Sequence, residues 1–62
     1  MMDAVELNRA VAQAAEIYRD SHVNDAMPLG APGAVVELAR RTNLTRDEQI
    51  QVLQGLIREL DL

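Results

Sequence analysis

Apolar positions recur along the chain in three blocks of helical period, separated by one stretch rich in proline and glycine and by one short polar turn. In residues 3–20, "DAVELNRAVAQAAEIYRD", Ala4, Leu7, Val11, Ala14, Ala15 and Tyr18 fall on one side at 100° per residue. Glu6, Arg9, Gln13, Glu16 and Asp20 form a polar stripe opposite. Asp3 and Glu6 stand at capping-box spacing, where an acid oxygen accepts a free amide hydrogen and the glutamate reaches back. The pattern predicts an amphipathic helix over 4–20, about five turns long. Ala10 and Ile17 fall at the edge of the polar stripe, and Ile17 is read either as a partner contact or as a single exposed aliphatic.

Residues 21–33, "SHVNDAMPLGAPG", hold two prolines and two glycines and interrupt the helical period, which predicts a loop over 21–32. Val23, Met27 and Leu29 give that loop apolar anchors, so it is expected to be ordered, with Met27 and Leu29 at its apex available to a partner. Pro32 suits the start of the next helix, where its missing amide hydrogen has no helical partner to lose. That helix is predicted over 33–42, with Val35, Leu38, Ala39 and Thr42 inward, and Asn43 follows as a residue tolerant of the left-handed conformation that ends helices. Thr45 and Glu48 form a T-x-x-E capping box, the clearest local signal in the chain. A third helix is predicted over 46–61, with Ile50, Val52, Leu53, Leu56, Ile57 and Leu60 on an apolar arc about 160° wide. Gly55 lies off that arc, where glycine costs about 1 kcal/mol relative to alanine. Either a close backbone approach or simple tolerance by a well-packed helix accounts for it.

The expected fold is all-α: one small domain spanning 1–62, with a long first helix, a Pro/Gly loop and a helical hairpin. Its 62 residues are 48% hydrophobic, but with much alanine and valine and Tyr18 as the sole aromatic residue the core is thin. That points to self-association, a helical homodimer, because the chain has no cysteine and only His22 to offer a structural metal. The wide arc of the third helix, through Val52, Leu56 and Leu60, is a candidate partner surface, with internal core as the alternative for each residue.

The stretch from Leu38 to Val52 resembles a helix-turn-helix: Leu38, Ala39, the turn at Asn43, Leu44 and Val52 recur at places where such units carry an aliphatic, a small residue, a glycine, an aliphatic and an aliphatic. It departs from that pattern at Asn43, which replaces the glycine, and at Gln49, which stands where a buried aliphatic is expected. The resemblance implies DNA contact through Arg40, Arg41 and Arg46 around the turn. Against it stands a net charge of −4 from ten acids and six arginines, with Asp47 and Glu48 at the point of entry to the groove. Three such arginines also serve as a solvated rim or as a docking patch for an acidic protein surface.

Ser21, His22 and Asp25 have the residue types of a nucleophilic triad, but they lie within five residues of one another, whereas triads are assembled from separate parts of a fold. His22, beside Asp20 and Asp25, is read as a surface loop histidine with no role, with a change of charge near physiological pH as the functional alternative. No enzyme, metal or cofactor is expected. No apolar run approaches the roughly 20 residues of a bilayer span, and "MMDAVELNRAV" lacks a signal peptide's basic start, so the expected location is cytoplasmic. Six arginines with no lysine, beside abundant alanine, hint at a GC-rich bacterial or phage genome. The reading that joins these points is a non-catalytic protein-interaction module, with a DNA-binding regulator as the alternative.

Overall fold

The computed structural model describes residues 2–24 and 27–62. They form three α-helices, α1 (Ala4–Asn24), α2 (Ala31–Thr42) and α3 (Arg46–Leu60), each packed on both others, with no strand among the described residues. The 21 residues of α1 account for most of the 34 Å long dimension, at 1.5 Å of rise per residue.

Each helix boundary has a local cause. Asp3 Oδ1 accepts the Glu6 amide hydrogen at 2.8 Å, which forms the forward half of the predicted box at the start of α1. The helix then runs one turn past its predicted end at residue 20. Ser21 is not the first loop residue: its hydroxyl donates to the Tyr18 carbonyl at 2.9 Å within the helix and accepts the Leu29 amide hydrogen at 3.0 Å. α2 starts two residues before its predicted start at 33. Gly30 precedes it in extended conformation and its carbonyl accepts the Ala34 amide hydrogen, while Pro32 sits in the first turn, where it removes no helical bond. Asn43 ends α2 at φ 57° and returns its amide hydrogen to Ala39. At α3 both halves of the capping box form, Glu48 N–H to Thr45 Oγ1 at 3.2 Å and Thr45 N–H to Glu48 Oε1 at 2.9 Å. The helix ends at Leu60, with Asp61 in the left-handed region.

The buried hydrophobic residues are Ala10, Ala14, Ala15, Ala31, Ala34, Val35, Leu38, Val52 and Leu56, more than half of them alanine. Burial of so many small side chains means that the helices lie close together, with the core built from short contacts between backbones and methyl groups. Ala10 and Ile17, assigned above to the edge of the polar stripe, pack into or against this core because α1 covers two helices at once and so needs a wider inward face.

Gly55 marks the tightest part of this packing. A Cβ placed on it would stand 2.7 Å from Val11 Cγ2, so the glycine faces α1 within the same chain and simple tolerance is not its explanation. Valine has essentially one χ1 rotamer in a helix, so Val11 has little freedom to give way. The contact also turns α3. Its inward side is centred on Val52 and Leu56, both 0% exposed and next to Gly55 on the helical projection, while Ile50 and Ile57 at the far edge of the predicted arc are 47% and 38% exposed.

Substitution of Gly55 by alanine is expected to lower stability by about 1–2 kcal/mol in spite of alanine's higher helix propensity, because overpacking outweighs it. Val11→Ala in the same chain should recover most of that loss. Urea unfolding of the two single variants and the double variant measures the coupling, and a Gly55→Ala chain more stable than the parent would contradict the close approach.

Candidate functional site

The rotation of α3 opens a groove against α2. Pro32, Val35 and Val36 line one wall and Arg46, Gln49, Ile50 and Leu53 the other, around a hollow of about 220 Å³. Val36 is 51% exposed, Ile50 47%, and Leu53 is half-buried, so three branched aliphatics face water or its edge on one side of a chain whose core is mostly alanine. Ile57 continues the stripe along α3. The end near the turn is built by Gln49, whose amide donates to the Leu44 carbonyl at 3.2 Å. This bond explains a polar residue where the helix-turn-helix resemblance calls for a buried aliphatic: it satisfies a turn carbonyl that the short α2–α3 connection leaves free.

The residues singled out above as partner contacts separate into two groups. Val52 and Leu56 are fully buried in the chain's own core, so no partner reaches them without opening the fold, and their assignment to a partner surface is corrected to core. Leu60, Leu29 and Ile17 are half-buried, with Leu60 and Ile17 packed against the core and Leu29 lying over Gly33, whose Cβ would meet it at 3.3 Å. Met27 is 87% exposed. Val36, Ile50 and Ile57 were missed as surface residues. The signal that identifies the last two is the off-arc position of Gly55, which marks the side of α3 that another helix approaches.

Two of the three arginines share one carboxylate. Arg41 Nε donates to Glu37 Oε2 at 3.1 Å, and Arg40 Nη1 lies 3.9 Å from Glu37 Oε1, so both turn toward the same carboxylate on α2. Arg46 lines the wall of the apolar groove. In the first turn of α3 the Thr45 amide hydrogen holds the Glu48 carboxyl below its ordinary pKa, so that end of the helix carries negative charge engaged with its own backbone.

Two of the triad-like residues, Ser21 and His22, do structural work. Ser21, 4% exposed and the one buried polar residue among those described, accepts the Leu29 amide hydrogen, and the His22 ring lies on Tyr18 with centroids 4.3 Å apart and Nε2 3.1 Å from the Leu29 carbonyl. Both backbone polar groups of Leu29 are thereby tied to the last turn of α1, which holds the entry to α2. Asp25, invoked beside His22, lies outside the described residues. A second hollow, of about 460 Å³, lies between α1 and α2 and includes Asp20, Ser21, Glu37 and Arg41; its serine and arginine already have partners within the chain. Among the described residues no group of three or more His, Cys, Asp or Glu is placed to hold a metal ion, and no helix is long and apolar enough to cross a membrane.

Set against known families, curated proteins and solved structures, the chain matches none of them. Its site is read from its own geometry.

Removal of the Ser21 hydroxyl leaves the part-buried Leu29 amide unpaired, so Ser21→Ala is expected to cost about 1–3 kcal/mol. It should also speed hydrogen exchange at Leu29 far more than at Val52. Unchanged stability and exchange in that variant would show that the tie carries no weight.

Proposed function

We propose that this chain is a non-catalytic protein–protein interaction module, of the kind that serves as a small regulator, adaptor or accessory subunit, and that it docks through the groove between α2 and α3. The observation that carries the reading is the exposure of Val36 and Ile50 side by side on facing helices, extended by Ile57. Burial of aliphatic surface is worth about 25 cal/mol for each Å², and here Val36, Ile50 and Ile57 stay in contact with water on one face. Grooves of this form accept an amphipathic helix laid along them. Among the described residues the serine and histidine are tied to Leu29, and Arg40 and Arg41 share Glu37.

The DNA-binding alternative draws on the same hairpin but has less to support it. Two of its three arginines face a carboxylate on their own helix, and the third is followed by Asp47 and Glu48.

Photo-crosslinking in the host cell tests the reading. A photoreactive phenylalanine in place of Ile50 is expected to give protein adducts, whereas the same group in place of the exposed Arg19 on the outer face of α1 is expected to give few. Absence of protein adducts at position 50, or equal adducts at both positions, would contradict docking through the groove.

A further inference from the structure

Ile50, Leu53, Ile57 and Leu60 follow one another at spacings of three, four and three, the a/d repeat of a two-helix seam. In the monomer that seam is half used. Leu53 and Leu60 lean on the chain's own core, while Ile50 and Ile57 stand out from it. Arg46 stands on this face one turn before Ile50, and Asp61 follows Leu60 as the left-handed cap of α3, a basic group at one end and an acidic group at the other. We infer that the occupant of this surface is a second copy of the chain, its α3 packed antiparallel on the first across a two-fold axis.

Two observations select a second copy, and a third sets the strength of the pairing. First, the repeat is self-complementary. With α3 antiparallel to itself and the axis near Gly55, Ile50 meets the second copy's Leu60 and Leu53 meets its Ile57, so every exposed a position covers a half-buried d position. Second, the charges are self-complementary only in this orientation. Arg46 and Asp61 are about 22 Å apart along one helix, too far to pair within a chain, and a parallel arrangement brings like charges together. The antiparallel one brings each Arg46 within a turn of the other copy's Asp61, while Asp47 lies about 95° from the centre of the stripe, on its solvent shoulder. Third, the area matches a weak assembly. Val36, Ile50 and Ile57 leave on the order of 250 Å² of apolar side chain exposed, well under the roughly 800 Å² that each partner commonly buries in a stable complex. The dimer is therefore reversible and dependent on concentration.

This inference rests on the interaction-module reading and is tested separately from it. Sedimentation equilibrium over a concentration series, on the whole chain, compares the parent with Ile50→Asp, Arg46→Asp, Asp61→Arg and the double charge reversal. Both reversals put charges of the sign that the helix dipole favours at their ends of α3, and the cost of arginine in the left-handed conformation at position 61 falls equally on monomer and dimer. The parent is expected to form a dimer that Ile50→Asp abolishes. Either single reversal should weaken it on the order of tenfold, and the double reversal should restore it to within about twofold of the parent. Should Ile50→Asp lose helical signal, Ile57→Asp and the charge-reversal set carry the same test. A parent that stays monomeric throughout, or a dimer indifferent to these changes, overturns the two-fold pairing. If in either case position 50 still crosslinks to a different protein, the module reading stands without it. Failure of the double reversal to restore a dimer weakened by the single ones overturns the antiparallel orientation.

Discussion

The absence of a side chain at Gly55 lets Val11 of α1 come within a distance that any Cβ would forbid, and the arrangement of the three helices depends on that approach. Of the chain's six valines, eight leucines and three isoleucines, only Val35, Leu38, Val52 and Leu56 are buried among the described residues. The chain gains stability from proximity instead, with Ala10, Ala14, Ala15, Ala31 and Ala34 bringing helices together so that many short contacts replace a few large buried side chains. Val35, Leu38, Val52 and Leu56 fill what space remains. Such a core is sensitive to single methyl groups, because a close-packed interior has no slack in which to place them.

The same constraint produces the exposed surface. Once α3 is turned so that Gly55 faces α1, its broad apolar arc no longer fits wholly inside: Val52 and Leu56 go in, Ile50 and Ile57 stay out. α2 then adds Val36 beside Ile50. The groove is thus the counterpart of a core made from small residues, with its ends set by rigid local features. The Thr45–Glu48 box fixes where α3 begins, Gln49 closes the turn onto the Leu44 carbonyl, and Arg46 lines the hollow. At the opposite end of the bundle Ser21 and His22 grip Leu29 and set the start of α2.

What could be read from the sequence divides along the line between local and tertiary causes. The capping box at Thr45, the left-handed Asn43 and the proline in the first turn of α2 act within a few residues, and each is legible from spacing alone. The last turn of α1 is not. Ser21 and His22 look like loop residues until Leu29, eight and seven positions later, is seen to receive them. Ala10 and Ile17 sit at the margin of the polar stripe on a projection that assumes one packing partner, whereas α1 has two. The division of the α3 arc was illegible for the same reason. Its 160° width was visible from periodicity, but which edge faces inward depends on Gly55, whose role becomes clear only when Val11 is placed opposite it. The candidate site inherits that limit: Val52 and Leu56 belong to the core, and the surface lies one step around the helix.

The central claim is that α1 and α3 meet at Val11 and Gly55 and that this contact turns Ile50 and Ile57 outward. Nuclear Overhauser effects in solution test it most directly. The account predicts strong cross-peaks between the Gly55 α-protons and a Val11 methyl group, and none from the Ile50 side chain to any residue of α1. Cross-peaks from Ile50 to α1, with none between Gly55 and Val11, would mean that α3 packs on its other edge, and would contradict both the origin of the groove and its place on the molecule.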